Sequence, residues 1–388
     1  MQKIGKTKQK IRLGIIALGI GGLIFYLGRP ASVNKEVTAL AAAEITAGAA
    51  LDLKPVHSQS LVLLDRQSGL VLESREENRF VYPASLTKLM TAAVVLDRLP
   101  DLEQELTVPA DIFPYLEREH ASLAGFNPGE EVRVLDLLYG VLLPSGADCS
   151  LTLAKKIAGG EAGFAALMNA KALELGMTGT HFVNPTGLHD PWQYSTTRDL
   201  AVLLRYDLTK PQLRKILTTP VYYTLPTGQH PRGIRLRNHI FGLLWQQERL
   251  REAGNQLVPL TASGSGVNLK RSGANLAAGA LLPGSGESLA AGALLPGAED
   301  SLVDDALAPA AGAGLADGAF LPAGRILGGK TGATSRAGLC MASLARVQGR
   351  EYLLVTTAAA ANIYADHFHI TDALFIYGQL DQLLARPY

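Results

Sequence analysis

The sequence is poor in cysteine, in net charge and in long apolar runs. It has two cysteines in 388 residues, Cys149 and Cys340, which excludes a disulfide-rich scaffold. One bridge between them is possible, but we expect two separate buried thiols, and no cysteine–histidine cluster has the spacing of a zinc site. The formal net charge is only +1, and no basic stripe is interleaved with aromatic residues. These features argue against nucleic-acid binding.

The N-terminus has the pattern of an export segment. Residues 1–12 contain five basic and no acidic side chains, and no charge follows between Leu13 and Gly28. That apolar run is slightly shorter than the about 17–25 residues of a full membrane span. We predict a signal-anchor or signal peptide over residues 1–30, with the uncleaved anchor favoured, followed by an Ala-rich linker over residues 31–54. The basic end stays in the cytoplasm, so the rest is expected outside it, anchored to the cell membrane or secreted.

Residues 254–324 differ in character from the rest of the chain. The segment LAAGALLPG occupies residues 276–284 and recurs without change at residues 289–297, and weaker copies begin at Leu302 and Leu315. The period of 13 residues is too short and too rich in Gly and Pro for a helical solenoid, whose units run about 20–45 residues. We predict a low-complexity insertion. A small β-solenoid is the alternative.

The remaining pattern predicts one α/β domain over residues 55–388, with the insertion inside it. A strand from Ser60 and a return strand after Gly69 form a hairpin, and strands are also expected at 325–332, 338–345 and 352–357. Apolar periodicity predicts helices at 89–96, 129–143, 149–158, 161–175, 196–207 and 365–384. Strands at both ends with helices between them indicate an antiparallel sheet covered by helices, plus a helical lobe around residues 100–205.

The chain is organised around the stretch from Tyr82 to Met90, in which Ser85 and Lys88 open an apolar helix. At this spacing both side chains lie on one helical face, about 5–6 Å apart at Cβ. The helix dipole stabilises negative charge near Ser85, and a positive field with burial lowers a lysine pKa towards roughly 7–8, suitable for a general base. The stretch can supply a nucleophile and its activating base. Taken alone, it also fits a capped helix with a solvated lysine.

Two later stretches, Ser145-Gly-Ala and Lys330-Thr-Gly, complete a set found together in penicillin-binding proteins and β-lactamases. The chain resembles the D-alanyl-D-alanine carboxypeptidases, the low-molecular-mass penicillin-binding proteins of serine peptidase family S11. The resemblance covers about residues 56–253 and 323–378. Its further matching stretches are Tyr82–Thr91, Pro128–Glu130, Phe182–Leu188, Ser195–Ala201 and Gly329–Gly332.

The resemblance implies a β-lactamase/transpeptidase-like fold and a serine acyl-transfer mechanism. Ser85 would attack the carbonyl of a terminal D-alanyl-D-alanine bond and form an acyl-enzyme that water then hydrolyses. Lys88 would accept the serine proton, and Ser145 would relay a proton towards the leaving amine. The implied partners are a peptidoglycan stem peptide ending in D-Ala-D-Ala and, as covalent inhibitors, β-lactams. No cofactor is expected.

The resemblance assigns substrate binding to the third stretch. Lys330 and Thr331 would bind the terminal carboxylate of the substrate. The backbone N–H groups of Ser85 and Ala333 would form the oxyanion hole. Gly332 would let the substrate backbone pair against this strand without a Cβ clash.

The second stretch departs from the family pattern, because alanine occupies position 147 where the family has asparagine. That asparagine is expected to hold the lysine and the substrate amide, and alanine can do neither by hydrogen bonding. Weakened catalysis or a shifted substrate preference is one reading, and compensation by Asp148 or a water is another. A third is a non-catalytic, peptidoglycan-binding protein. We favour a retained acyl-transfer site.

Other candidate functions are weaker. A class A-type β-lactamase needs a Glu-x-x-Leu-Asn loop, and residues 150–200 contain none. The run Asp366-His-Phe-His369 places two histidines on different faces without a partner carboxylate, so we expect no metal site there. Arg198 and Asp199 are expected to be structural, and Cys149 a small buried residue rather than a nucleophile.

Overall fold

The computed structural model describes residues 51–252, 325–359 and 368–385. The predicted export segment, most of the linker, the repeat insertion, Asp366 and His367 lie outside the described residues. The domain boundaries therefore stay predictions. None of the helices in the described part of the chain is long and apolar enough to cross a membrane.

A five-stranded antiparallel sheet forms the centre of the fold, in the order β2-β1-β11-β10-β9. Its strands are β1 (Ser60–Asp65), β2 (Val71–Arg75), β9 (Arg325–Thr334), β10 (Gly338–Val347) and β11 (Arg350–Ala359). Strand β1 pairs with both β2 and β11, so the N-terminal hairpin joins the C-terminal strands in one sheet. The predicted fold class, an antiparallel sheet covered by helices with a helical lobe, is confirmed.

The other strands pair in three short two-stranded sheets. They are β3 (Phe80–Val81) with β6 (Ser195–Thr196), β4 (Glu105–Thr107) with β5 (Glu131–Arg133), and β7 (Val221–Tyr223) with β8 (Arg235–Arg237). The helices are α1 (Thr87–Arg98), α2 (Phe113–Arg118), α3 (Val134–Leu142), α4 (Ala147–Ala158), α5 (Glu161–Glu174), α6 (Thr197–Asp207), α7 (Pro211–Leu217), α8 (His239–Glu252) and α9 (Phe368–Leu384).

The central strands are buried on both faces, because successive side chains point to opposite sides of a strand. Val62 and Leu64 of β1 face the larger core with α6 and the helical lobe. Leu61 and Leu63 face a second core with α9. A strand covered on both faces has a continuous apolar run rather than an alternating one. This burial explains why all six residues of β1 are buried.

The structure differs from the sequence prediction at several element boundaries. Ser85 lies in a short 3-10 turn, Ala84–Leu86, that leads into α1. Helix α4 begins at Ala147, two residues earlier than predicted, so Ala147 is in the first helical turn. The elements between residues 208 and 253 were not predicted, because their strands are only three residues long and lack a clear period.

Candidate active site

Ser85 and Lys88 form the first serine–lysine pair of the site. Lys88 is 2% exposed, and its Nζ donates to Ser85 Oγ at 3.3 Å and to the carbonyl of Thr186 at 2.6 Å. Burial lowers the pKa of Lys88 to about 7, against an opposing effect of the Asp148 carboxylate. A neutral form of the lysine is therefore populated at pH 7. A neutral amine within hydrogen-bond reach of a hydroxyl can accept its proton.

The loop from Asn184 to Leu188 aims the Thr186 carbonyl at Lys88. Asn184 Oδ1 accepts hydrogen bonds from the backbone N–H of Thr186 at 3.1 Å and of Gly187 at 2.8 Å. Its Nδ2 group donates to the carbonyl of Leu188 at 3.0 Å. One buried amide thus closes the loop on itself, so Asn184 has an architectural role beyond a simple turn signal.

Two residues with positive φ bring this loop against the Ala84–Leu86 turn, which we call the nucleophile turn after the candidate nucleophile Ser85. Gly187 has φ +80°, and an added Cβ there would lie 2.0 Å from the carbonyl oxygen of Ala84. Ala84 itself has φ +47°, a left-handed conformation that is strained for a residue with a Cβ. Strain of this kind persists where the surroundings hold the backbone in place, and it occurs often at active sites. Here the strained conformation of Ala84 fixes the direction in which the backbone continues into Ser85.

Ser145 and Lys330 form a second serine–lysine pair, between the helical lobe and the sheet. Lys330 Nζ donates to Ser145 Oγ at 2.9 Å and to the carbonyl of Thr331 at 2.7 Å. Both side chains are buried, and Ser145 has φ +67°. Burial and then the charge of Lys88 lower the pKa of Lys330 well below its ordinary value. Because the two lysines lie near one another, protonation of one makes protonation of the other less favourable.

Strand β9 carries the third stretch past the nucleophile turn. An added Cβ at Gly332 would lie 3.0 Å from the backbone nitrogen of Ser85, so only glycine permits this approach without displacement. Ala333 is exposed, and Thr331 and Ser85 are half-buried. The residues that a substrate could touch therefore retain accessible surface, whereas Lys88 and Lys330 are buried.

Ala147 and Asp148 occupy the first turn of α4. Ala147 is buried, and its N–H donates to the carbonyl of Ser122 at 2.8 Å. Asp148 is fully buried, and its carboxylate accepts from the N–H of Ala124 at 2.9 Å and of Gly125 at 3.3 Å. Burial raises the pKa of Asp148. Its oxygens hold the 122–125 segment, so Asp148 does not take the hydrogen-bonding place of the missing asparagine.

The other residues that the sequence singled out lie where they support the structure. Both cysteines are buried free thiols, and burial raises the pKa of Cys149 well above its ordinary value. Arg198 pairs with Glu77 at 2.7 Å, and Asp199 Oδ2 accepts from the N–H of Gly179 at 2.9 Å. The described residues contain no group of three or more His, Cys, Asp or Glu side chains placed to hold a metal ion.

One residue near the lysines was missed by sequence reasoning. His239 begins α8, which packs against β9. Desolvation of the ring and then the charges of Lys330 and Lys88 lower the pKa of His239, although the residue as a whole is exposed to solvent. The imidazole is therefore neutral at pH 7. A lone histidine in a stretch without a motif gave no signal that could have identified it.

Comparison with known proteins finds a family and relatives that carry the same description, D-alanyl-D-alanine carboxypeptidase. The Peptidase_S11 family, described as D-alanyl-D-alanine carboxypeptidase, matches residues 44–248. D-alanyl-D-alanine carboxypeptidase DacF of Bacillus subtilis is 35% identical over 155 residues, which are 39% of this chain and 40% of that protein. DacC of Escherichia coli, another D-alanyl-D-alanine carboxypeptidase, is 37% identical over 194 residues, covering 48% and 45%. The chain spans about half the length of these relatives or less.

Solved structures share the fold. The Streptomyces K15 DD-transpeptidase has a TM-score of 0.58 at 22% identity, over 83% of this chain and 97% of that one. Penicillin-binding protein 5 from Haemophilus influenzae has a TM-score of 0.55 at 21% identity, over 85% and 70%. These identities support the architecture alone. The family match covers more than half of the chain, and this protein therefore belongs to the D-alanyl-D-alanine carboxypeptidase family, Peptidase_S11.

Proposed function

We propose that this protein is a serine-type D-Ala-D-Ala carboxypeptidase that removes the terminal D-alanine of peptidoglycan stem peptides and is acylated by penicillin. The observation that carries the proposal is the Ser85–Lys88 pair. Its two side chains are 3.3 Å apart, and burial lowers the pKa of the lysine to about 7. A serine activated in this way is a nucleophile at neutral pH.

In the acylation step, Ser85 Oγ attacks the carbonyl carbon of the terminal peptide bond while Lys88 accepts the hydroxyl proton. The carbonyl oxygen takes up negative charge opposite the backbone N–H groups of Ser85 and Ala333, which act as the oxyanion hole. Collapse of the tetrahedral intermediate breaks the C–N bond. Ser145 passes its hydroxyl proton to the departing amine and receives the proton that Lys88 took from Ser85, so Lys88 is neutral again before deacylation, while Lys330 holds the Ser145 hydroxyl by a hydrogen bond of 2.9 Å.

The third stretch binds the substrate in this proposal. The half-buried Thr331 contacts the terminal carboxylate, and the buried Lys330 beneath it attracts this group when protonated, which positions the scissile carbonyl over Ser85. Gly332 permits the close approach of β9 to Ser85, which brings this strand to the place where the substrate backbone would lie beside it. In deacylation, water attacks the ester carbonyl, Lys88 accepts a water proton, and the Ser85 oxygen leaves with a proton returned to it. No cofactor takes part in either step.

The alternative is a non-catalytic or weakly active peptidoglycan-binding protein, and Ala147 is the observation that favours it. Alanine offers no amide to the substrate or to Lys88. The Thr186 carbonyl, 2.6 Å from Lys88 Nζ, supplies one acceptor for the lysine. The substrate amide still lacks its asparagine partner, so we expect a slower acylation than the family pattern would give.

The test is covalent labelling by a fluorescent penicillin, read on a denaturing gel, for the wild-type protein and for Ser85→Ala. We expect label on the wild type alone, followed by release of D-alanine from a peptide ending in D-Ala-D-Ala. Ala147→Asn should label faster if the missing amide limits the rate. Absence of label on wild type and Ala147→Asn alike, with both folded, supports the binding-protein alternative. Rapid loss of the label indicates a β-lactamase-like hydrolase.

We also propose an extracytoplasmic location, with the N-terminal segment as the membrane attachment. The basic residues before Leu13 and the uncharged run up to Gly28 support it. Fractionation of cells that express the full chain should recover it with membranes and accessible from outside the cytoplasm. N-terminal sequencing distinguishes a retained anchor from a cleaved signal.

A further inference from the structure

Six aromatic side chains with exposed or half-buried rings lie on residues 80–82, which precede Ser85, and on residues 181–194, which flank the loop that packs on the turn of Ser85. We call this group the aromatic rim. Trp192 is 73% and Phe80 is 65% exposed, and the other four rings are exposed or half-buried. Its members are Phe80, Tyr82, His181, His189, Trp192 and Tyr194. Large exposed rings are uncommon on a soluble surface, and their clustering marks an interaction site.

The rim is a built surface rather than a set of loose side chains. The rings of Phe80 and Tyr194 meet edge-to-face at 5.3 Å between centroids, and His181 lies 5.8 Å from Tyr194. The backbones of His181 and Tyr194 exchange two hydrogen bonds, of 2.9 and 3.0 Å. His181 Nδ1 donates to the carbonyl of Trp192 at 2.7 Å. The backbone beneath the rings is therefore fixed in advance of binding.

Gln193 ties the rim to the active-site loop. It is 2% exposed, between the exposed Trp192 and the half-buried Tyr194. Its Oε1 accepts from the backbone N–H of Asn184 at 2.9 Å, and its Nε2 donates to Asn184 Oδ1 at 3.2 Å. The same asparagine shapes the loop that aims a carbonyl at Lys88. The segment that presents Trp192 and Tyr194 thus shares a buried hydrogen-bond network with the catalytic loop.

The rim also continues directly into the site. Tyr82 lies three residues before Ser85, and its ring meets that of His189 edge-to-face at 4.8 Å. His189 follows the loop that packs on the nucleophile turn. Phe80 is five residues before Ser85, so their Cα atoms are at most roughly 18 Å apart. A molecule lying on the rim is therefore within a few residues' length of the nucleophile.

The chemistry of the rim favours a saccharide. A pyranose ring has an apolar C–H face and a polar edge of hydroxyl groups, and rings with polar tips offer both kinds of contact. The imidazoles and the two tyrosine hydroxyls provide such tips. Arg198 is paired with Glu77 at 2.7 Å. The charged residues that adjoin the rim in sequence, Arg79 and Asp190, can hydrogen-bond to sugar hydroxyls. Rigid rings also lose little conformational entropy on binding.

We propose that the aromatic rim binds the glycan strand to which the stem peptide is attached. This inference rests on the proposed function, since it names the larger substrate of the same site. A stem peptide of four to five residues spans at most roughly 18 Å when extended, which is long enough to reach from Ser85 to the rim. The enzyme would then act faster on peptides carried by glycan than on free peptides, because the sugar positions the peptide over Ser85.

The experiment compares kcat/KM for two substrates: a free peptide ending in D-Ala-D-Ala, and uncrosslinked soluble glycan chains that carry the same peptide. Trp192→Ala and Phe80→Ala should each lower the value for the glycan substrate about tenfold. The value for the free peptide should stay within about twofold, since the site itself is intact. Trp192→Phe, which keeps an aromatic ring, should retain most of the wild-type kcat/KM for the glycan substrate. Tyr223→Ala is the matched control, because this 54%-exposed ring lies outside the rim on β7.

A second measurement does not depend on activity. Ser85→Ala protein should be retained on a resin that carries immobilised glycan strands stripped of their peptides, and the additional change Trp192→Ala should abolish the retention. Equal losses on both substrates, no loss on either, or no retention on stripped glycan would each overturn the inference. If the wild type releases no D-alanine from either substrate, the proposed function fails. The retention result then still decides whether the rim binds glycan.

Discussion

The two serine–lysine pairs of this protein have similar geometry and different origins. The Nζ atom of Lys88 lies 3.3 Å from Ser85 Oγ, and the Nζ atom of Lys330 lies 2.9 Å from Ser145 Oγ. Each lysine is buried, and each also donates to a backbone carbonyl. The first pair, however, is three residues apart in one helical turn. The second joins positions 185 residues apart, across the contact between the helical lobe and the sheet.

The difference teaches which parts of the site are local and which depend on the packing of the whole domain. A spacing of three residues brings side chains together wherever a helix forms. The second pair exists only because β9 runs beside the nucleophile turn, with Gly332 at the closest approach. The first pair should therefore govern the chemistry of Ser85. The second should govern substrate binding and proton delivery.

The largest expected effect comes from removing the lysines one at a time. Lys88→Ala should slow acylation by penicillin about 10³-fold, because general-base catalysis contributes 10²–10⁴-fold. Lys330→Ala should slow it about 10²-fold, since it removes carboxylate attraction and support for Ser145 but leaves the base. The measurement is the second-order rate constant of labelling, with thermal melting to establish that each variant folds. Equal losses would contradict the division of roles.

The next effect is on stability, at the loop that supports the first pair. Gly187→Ala should lower the free energy of unfolding by about 3 kcal/mol, because it combines a left-handed backbone with overpacking against the Ala84 carbonyl. Gly176→Ala is the matched control. Gly176 has φ +73° with nothing within 4 Å of an added Cβ, so about 1 kcal/mol is expected. Urea unfolding measures the free energy for both variants. Similar decreases in the two variants would show that the backbone of Gly187 is not tightly packed against the Ala84 carbonyl.

A smaller effect is expected in the pH dependence of acylation. Lys88 must be neutral to accept a proton, and burial lowers its pKa to about 7. The acylation rate should therefore be low at pH 5, rise through about pH 7 and level off above it. Ser145→Ala should reduce the plateau without moving the midpoint. A midpoint that moves with Ser145→Ala would place the controlling titration on the second pair.

The smallest expected effect is a shift in the pH midpoint of acylation when the charge of Asp148, near the Ser85–Lys88 pair, is removed. The carboxylate of Asp148 raises the pKa of Lys88 against the effect of burial. Asp148→Asn removes this charge, so the midpoint of the acylation profile should move to lower pH. Asp111→Asn is the control, since Asp111 is an exposed residue paired with Lys155 at the surface. A profile that shifts equally in both variants would contradict a local electrostatic effect.

Much of the fold followed from local patterns. Continuous apolar runs predicted the strands of the central sheet, and helical periodicity predicted most of the lobe. The segment between residues 208 and 253 was not predicted, because short strands such as β7 and β8 are stable only against their neighbours. His239 was missed for the same reason, since its place beside the lysines depends on the packing of α8 against β9.

The sequence by itself determined the pair that we propose as nucleophile and base, because a helix brings Ser85 and Lys88 together through backbone geometry alone. It also marked Ser145 and Lys330 as the residues proposed to work with them. Only the tertiary structure decided that these two meet, that the Thr186 carbonyl holds Lys88, and that Asp148 supports a neighbouring segment rather than replacing the absent asparagine. The physical reason is that desolvation and long-range contacts arise from packing, which no local spacing encodes.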